Sequence, residues 1–189
     1  MLFSPGIERA LRVALEAHAG QTRKGAEDLP YVSHPVHVAM ILAKLGLDEV
    51  ALQAALLHDV VEDCDDWDEA RVRSTFGDAV ADIVAALTED KSGTWDERKR
   101  HAIEHVPEMS TAAAHVKAAD KLHNLSCLLD ELQSTSDPDR VWAQFRGGRE
   151  KTLITARQLV EALEPRVLKP LGQSLRRVLQ ALEEQSHAI

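Results

Sequence analysis

Apolar residues recur three and four positions apart along most of the chain, and this spacing predicts a protein that is almost entirely helical. Ala and Leu are abundant and β-branched runs are short, which also favours helix. The first helix is expected to begin after a Ser4 cap and to end at Gly20, with its apolar side chains on one face. The segment 21–31 carries Gly25, a proline and several charges, so we expect a surface loop there.

Caps, glycines and prolines divide the rest of the chain into further helices. They are expected at about 33–46, 48–62, 68–77 and 79–87, from a capping box at 94–97, at 110–132 and 137–163, and from beyond Pro170 to about 185. Ser33 is the expected cap of the second helix, and the third is expected to run unbroken through His58 and Asp59. The chain shows no internal repeat. The pattern indicates an all-α fold, a compact multi-helix bundle that forms a single domain over 1–189.

The charge balance limits the kinds of partner. The chain has 22 Lys and Arg residues against 31 Asp and Glu residues, which gives a formal net charge of −9. This balance disfavours nucleic acid as a partner, because binding its backbone needs an excess of cations on one face. A phosphorylated small molecule remains compatible with it, provided that a local cluster of cations or a bound metal meets the phosphates.

The sequence also indicates a cytoplasmic protein. Its apolar stretches are too short to span a bilayer, so no membrane partner is expected. The N-terminus lacks the basic and then apolar pattern of a secretory signal. Cys64 and Cys127 form no C-x-x-C pair, and we interpret both as reduced, small, packed residues.

Imidazole and carboxylate groups occur on three of the predicted helices. Those that can meet at one ion are His34, His58, Asp59 and Asp120. Mixed nitrogen and oxygen donors suit a divalent transition metal such as Mn, Fe or Zn. His58 and Asp59 are adjacent and lie about 100° apart around a helix, so both reach one ion only if it sits near the helix surface. His37 is the closest rival of His34, because it lies three residues on and on the same face.

Two acids and an amide extend this group. Each carboxylate of the Glu62-Asp63 pair lies four residues after a member of the His-Asp pair, one helical turn further along. An ion with carboxylates beside it suits hydrolysis, since the metal activates water and polarises a phosphoryl oxygen while a carboxylate moves the proton. Asn124 lies four residues after Asp120 and would face the same cavity, where it could read a sugar or a base.

Simpler interpretations stand beside these. A single histidine is more often a structural residue than a ligand, and we apply that expectation to His18, His37, His101, His105, His115 and His187. The acidic run 62–66 could be a solvated loop, and so could the pair Arg23-Lys24.

Five strings occur together in an order and spacing typical of one enzyme family. They are AHAGQTRK at 17–24, PYVSHP at 30–35, AALLHDVVED at 54–63, FG at 76–77 and ADKLHNL at 119–125. At these residues the chain resembles the His-Asp (HD) metal-dependent phosphohydrolases, and within them the RelA/SpoT-type alarmone hydrolases. The resemblance covers about 8–130, and the predicted C-terminal helices, 137–187, follow it. Because the chain has no room for synthetase and regulatory domains, it is similar to the stand-alone small alarmone hydrolases, such as the metazoan SpoT homologues.

The resemblance implies a helical HD-domain bundle and an activity. It implies a Mn²⁺ ion and removal of the 3′-pyrophosphate from guanosine tetra- or pentaphosphate, which gives GDP or GTP and pyrophosphate. By position, Glu62 and Asp63 match the catalytic acids, Arg23 and Lys24 match a loop that packs on the base, and Asn124 matches a ribose contact. The metal ligands that it implies are His34, His58, Asp59 and Asp120. Ser126-Cys127 depart from the family pattern, which bears on base selectivity.

Other functions remain open at this point. The same site could act on adenosine alarmones (ppApp) or as an NADPH 2′-phosphatase. The chain could instead be a non-catalytic, metal-stabilised module that binds an alarmone, although a binding module has no need for Glu62 and Asp63 beside the ion. A homodimer could form through an apolar stripe on the last helix, at 171–182, although such a stripe is more often core than interface.

Overall fold

Helices make up most of the part of the chain that the computed structural model describes, residues 3–24 and 26–187. In chain order they are α1 (Pro5–Ala17), α2 (Ser33–Lys44), α3 (Glu49–Leu57), α4 (Val60–Asp63), α5 (Glu69–Phe76), α6 (Asp78–Leu87), α7 (Trp95–Glu104), α8 (Thr111–Ser134), α9 (Pro138–Trp142), α10 (Gly148–Leu163) and α11 (Lys169–His187). Two short strands, β1 (Thr22–Arg23) and β2 (Ala26–Pro30), pair as an antiparallel hairpin. The predicted all-α class is confirmed.

Side-chain caps begin many of these helices, as the sequence pattern predicts. The Asp48 carboxylate, for example, accepts the Ala51 N–H at the start of α3. The other capping side chains are Ser4, Asp68, Ser110 and Asp137, together with the Thr94–Glu97 capping box of α7. The predicted Ser33 cap is wrong: Val32 occupies the cap position of α2, and its side chain makes no capping hydrogen bond.

The predicted unbroken helix over 48–62 is also wrong, because it breaks at His58 and Asp59 into α3 and α4. In a continuous helix the Ala55 carbonyl would accept the Asp59 N–H. Here that carbonyl lies 2.7 Å from Nδ1 of His58, which donates to it. The next helix begins at once, since the Asp63 N–H bonds the Asp59 carbonyl at 2.9 Å. The prediction that Glu62 and Asp63 lie one helical turn beyond His58 and Asp59 assumed a continuous helix. The break means that the four residues do not share one helix face.

A second predicted helix, 137–163, is two helices, α9 and α10. Gly148 at the start of α10 has a φ of +60°, a left-handed conformation that favours glycine. A Cβ at Gly147 would lie 2.8 Å from the Trp95 ring. The glycine pair therefore permits both the turn and the close approach of α7.

Two smaller differences lie near the N-terminus. α1 ends at Ala17, before the predicted stop at Gly20. The predicted surface loop 21–31 contains the β1–β2 hairpin, whose strands are too short to leave a period of two in the sequence. Gly25, which supported the loop prediction, lies outside the described residues.

The long helix α8 packs against α2, α3, α6 and α11 and so lies centrally in the fold. The apolar stripe of α11 is buried within the chain, with Leu171, Leu175 and Leu182 each no more than 1% exposed. The stripe is therefore core, the alternative that the sequence favoured. The homodimer remains a prediction, without this surface to support it.

Two further predictions concern the cysteines and membrane-spanning helices. Both cysteines are free thiols; Cys64 is partly buried, whereas Cys127 is exposed, so the prediction that both are packed is wrong for Cys127. Among the described helices, none combines the length and apolarity that crossing a bilayer requires. The cytoplasmic location remains a prediction.

Candidate metal centre and its surroundings

Three parts of the bundle bring imidazole and carboxylate groups to one point. His34 lies in the first turn of α2, His58 directly follows α3, and Asp120 lies midway along α8. One donor atom of each lies within 4.8 Å of the other two. Both imidazoles are buried, with 1% and 5% of their surface exposed. The packing of α2 against α3 and α8 thus assembles a donor set that suits a divalent transition metal.

The protonation of His58 follows from its surroundings. Its Nδ1 must carry the hydrogen, because a backbone carbonyl, that of Ala55, can only accept. In the neutral form of the ring, Nε2 then carries a lone pair. That atom is buried and has no hydrogen-bond partner among the described residues. A buried polar atom without a partner is unfavourable, and a metal ion bound there would satisfy it.

Asp59 lies beside this nitrogen. Its Oδ2 is 3.2 Å from Nε2 of His58 and 3.6 Å from Nε2 of His34. The Tyr31 hydroxyl donates to the same oxygen at 2.6 Å. Burial, and then the negative charge of Asp59, raise the pKa of Tyr31, so the phenol keeps its proton and remains a donor. No role for Tyr31 was predicted from the sequence, although it lies three residues before His34.

Asp120 is held as a carboxylate. Burial alone would raise its pKa, but the contact with His34 at 3.3 Å and the position beside His58 outweigh burial and hold the pKa of Asp120 well below its usual range. The Asn124 amide donates to Oδ1 of Asp120, and Arg23 donates to the Asn124 carbonyl oxygen at 2.8 Å. The predicted nucleotide contacts Arg23 and Asn124 thus form a chain of hydrogen bonds that ends at the centre.

A second histidine contacts His34 from α8. Nδ1 of His123 lies 2.8 Å from Nδ1 of His34, and both rings are buried. Burial, and then the neighbouring His34, lower the pKa of His123 to about 4, so this ring is neutral at pH 7. The sequence analysis missed His123 as a functional residue. Its position three residues after Asp120 on one helix was the available signal.

The acids Glu62 and Asp63 differ in exposure. Glu62 retains 23% of its side-chain exposure, and Asp63 retains 37%. Burial raises the pKa of Glu62, and the N–H of Glu89 donates to its Oε2 at 3.2 Å. Asp65 and Asp66 are exposed. The solvated-loop interpretation therefore suits the end of the acidic run but not Glu62.

Lys91 holds the two acids from outside. Its ammonium donates to the Glu62 carbonyl at 2.6 Å and to Oδ1 of Asp63 at 3.0 Å. Glu89, whose N–H contacts Glu62, is itself paired with Arg98 at 3.3 Å. These contacts could not be predicted from local sequence patterns, because they join residues 27 to 29 positions apart.

The two residues of the predicted base-binding loop, Arg23 and Lys24, differ in their contacts. The guanidinium of Arg23 lies 5.7 Å from the centre of the Tyr31 ring, besides its bond to Asn124. Lys24 is exposed, and no hydrogen bond or ion pair joins it to the other described residues. Only Arg23 of this pair is therefore brought to the centre.

The rival ligand His37 is exposed, and its ring packs at a tilt of 59° against that of His123, with the ring centres 4.6 Å apart, rather than joining the donor group. His115 is a buried structural residue, as expected. Its Nδ1 donates to the Thr111 carbonyl at 2.7 Å, and its Nε2 accepts the Leu168 N–H at 3.0 Å. The structure thus favours His34 over His37 as a ligand.

A family model described as HD domain matches residues 10–151, which include all the residues of the centre. The chain belongs to the HD-domain family. The HD-domain family implies a divalent metal, and the three donors within 4.8 Å of one another agree with that. The family resemblance seen in the sequence is confirmed.

Curated HD-domain relatives are named guanosine-3′,5′-bis(diphosphate) 3′-pyrophosphohydrolase MESH1. The human protein (Homo sapiens) is 47% identical over 157 residues, which cover 80% of this chain and 87% of that protein. The zebrafish protein (Danio rerio) is 48% identical over 114 residues, or 59% of this chain and 63% of that protein. The match to the zebrafish protein therefore spans less than two thirds of its length.

Solved structures agree with the HD-domain assignment. One, described as "A metazoan ortholog of SpoT hydrolyzes ppGpp and plays a role in starvation responses", has a TM-score of 0.80 at 33% identity. The comparison covers 95% of this chain and 97% of that one. The structure of lmo0812 from Listeria monocytogenes has a TM-score of 0.69 at 34% identity and covers 78% of this chain.

Proposed function

We propose that this chain is a Mn²⁺-dependent hydrolase that removes the 3′-pyrophosphate from guanosine 3′,5′-bis(diphosphate) and its pentaphosphate analogue. The products are GDP or GTP and pyrophosphate. The observation that carries the proposal is the buried Nε2 of His58, which has no hydrogen-bond partner in the part of the chain that the structure describes and lies among His34, Asp59 and Asp120. The names of the MESH1 relatives support the choice of substrate.

The proposed ligands of the ion are His34, His58, Asp59 and Asp120. Two neutral nitrogens and two carboxylates suit Mn²⁺, and the lowered pKa of Asp120 keeps that group ionised. When bound, the ion lowers the pKa of a water and polarises a phosphoryl oxygen. Tyr31 fixes the orientation of Asp59 through its hydroxyl.

Glu62 and Asp63 are the proposed catalytic residues. The attacking water forms a bond to phosphorus and the bond from phosphorus to the ribose 3′ oxygen breaks, so one proton must leave the water and one must reach the 3′ oxygen. The raised pKa of Glu62 makes it a stronger proton acceptor than an exposed carboxylate. The Glu89 N–H and the Lys91 ammonium hold the two acids in place.

The proposed nucleotide contacts are Arg23, Lys24 and Asn124. A guanidinium can neutralise phosphate charge and stack on a purine, and Arg23 already lies near the Tyr31 ring. Cations at this point would attract a polyanionic substrate to a chain whose net charge is −9.

The deciding experiment is metal analysis of the purified protein, followed by identification of the products formed from ppGpp with Mn²⁺ present. We expect GDP and pyrophosphate in equal amounts and no turnover after the ion is removed by a chelator. Parallel reactions with ppApp and NADPH compare the substrates. Faster turnover of either one would overturn the proposed substrate, and binding of ppGpp without turnover would overturn the enzymatic proposal.

A further inference from the structure

The contact between His34 and His123 determines which nitrogen of His34 carries a hydrogen. The two Nδ1 atoms lie 2.8 Å apart, and the rings retain 1% and 8% of their exposure. At this distance one nitrogen must donate and the other must accept. Two protonated nitrogens would place hydrogen against hydrogen, and two bare nitrogens would place lone pair against lone pair.

The other side of His34 decides between these two arrangements. Its Nε2 faces Oδ1 of Asp120 at 3.3 Å and Oδ2 of Asp59 at 3.6 Å. A nitrogen that binds a metal must present its lone pair, and a neutral imidazole carries a single N–H. With the ion bound, the hydrogen of His34 therefore belongs on Nδ1, and Nδ1 of His123 is the acceptor.

We propose that His123 is a positioning residue of the metal centre: it accepts the Nδ1–H of His34 and so directs the lone pair of Nε2 towards the ion. This inference rests on the proposed metal site. It assigns the hydrogen of His123 to Nε2, from which the sulfur of Cys127 lies 3.6 Å away and can act as a weak acceptor.

The two histidines of the centre are thus oriented by different means. The orienting partner of His58 is the backbone carbonyl of Ala55, which no substitution removes. The orienting partner of His34 is a side chain on another helix, 89 positions along the chain. The position of α8 relative to α2 therefore affects the tautomer of a ligand as well as the position of Asp120.

Nitrogen NMR of the wild-type chain loaded with Zn²⁺, a diamagnetic ion that suits the same donors, tests the assignment directly. We expect Nδ1 of His34 and Nε2 of His123 to carry hydrogen, with a scalar coupling between the two Nδ1 atoms across the hydrogen bond. A hydrogen on Nε2 of His34, or donation from His123 to His34, would overturn the inference. This measurement needs no turnover.

Variants of His123 test the consequence for the ion, with Mn²⁺ titrated against a competing chelator. His123→Leu removes the acceptor, and we expect its Mn²⁺ affinity to fall about 10- to 100-fold. His123→Asn retains an acceptor oxygen near the position of Nδ1, so most of the affinity should return. His37→Asn is the matched control, because His37 packs against His123 but belongs to neither the donor group nor the proposed machinery.

The outcomes separate the two proposals. Wild-type affinity in His123→Leu would overturn the positioning role and leave the proposed function intact. Failure of the wild-type chain to bind Mn²⁺ would instead overturn the proposed function. If His123→Leu does not fold, the comparison of His123→Asn with His37→Asn and the wild-type NMR spectrum decide the matter.

Discussion

Two buried histidines, His58 and His115, have the same surroundings at Nδ1 and different surroundings at Nε2. In each, Nδ1 donates at 2.7 Å to a backbone carbonyl a few residues earlier, that of Ala55 or of Thr111. In each, Nε2 is therefore an acceptor. At His115 this acceptor receives the Leu168 N–H at 3.0 Å. At His58 it has no hydrogen-bond partner among the residues 3–24 and 26–187, and it faces the Asp59 carboxylate.

Burial alone does not distinguish a candidate metal ligand from a structural histidine. Both rings are about equally exposed, at 5% and 3%, and both are fixed in one tautomer by the main chain. Only the surroundings of the second nitrogen differ. A histidine in this fold is therefore structural when both nitrogens are satisfied, and it is a candidate ligand when one is left with its lone pair among acids.

The largest contrast should come from removing each ring. We expect His58→Ala to lose Mn²⁺ binding and turnover, because a ligand is removed from the ion. His115→Leu should retain both, measured as metal content and as turnover of ppGpp per folded molecule. A loss of Mn²⁺ binding in folded His115→Leu would remove the distinction between the two sites.

Glu62 and Asp63 should be needed for proton transfer and not for binding of the ion. In the double variant Glu62→Gln with Asp63→Asn we expect turnover to fall about 10²- to 10⁴-fold, because no carboxylate remains to move the proton. Its Mn²⁺ content should match that of the wild type. Wild-type turnover would exclude Glu62 and Asp63 as the proton acceptors, and loss of the ion would make them part of its binding site.

Tyr31 offers a more limited test of the surroundings of His58. In Tyr31→Phe the hydroxyl that donates to Asp59 is lost while the ring remains. We expect Mn²⁺ affinity to fall about 10- to 100-fold, with turnover largely restored at saturating Mn²⁺. Chelator competition gives the affinity, and an unchanged value would mean that Asp59 does not depend on Tyr31.

The smallest effect should be the stability change in His115→Leu. The Leu168 N–H loses its partner and the Thr111 carbonyl loses its side-chain hydrogen bond, so we expect the free energy of unfolding to fall by about 1–3 kcal/mol. Urea unfolding of the metal-free chain measures it. Added Mn²⁺ at about 100 times its dissociation constant should still stabilise the variant by about 2.7 kcal/mol, as in the wild type. A variant as stable as the wild type would mean that these two hydrogen bonds contribute nothing.

Local features of the fold could be predicted from the sequence, because their causes lie within one turn. The caps at Ser4 and Asp48 are examples, since each side chain bonds an N–H three residues later. The break after α3 could not be predicted in this way. It involves the imidazole of His58, and the apolar spacing on either side continues across it.

The candidate site was predictable in composition but not in its contacts. Motif order identified His34, His58 and Asp120 as a group, and the structure brings these three together. The contact of His34 with His123 spans 89 positions, and nothing in the sequence near either residue specifies it. The roles of the site residues and the single-domain boundary over 1–189 remain predictions.

The position of α8 links the far end of the chain to the chemistry. Helix α8, which carries Asp120, packs against α2, which carries His34, and also against α11, whose leucines are buried. The spacing between His34 and Asp120 therefore depends on how α8 packs, including its contacts with α11, a helix that carries none of the three donors. Removing a methyl group from a buried leucine of α11 is then expected to lower the affinity for the metal ion, although none of the proposed ligands is altered.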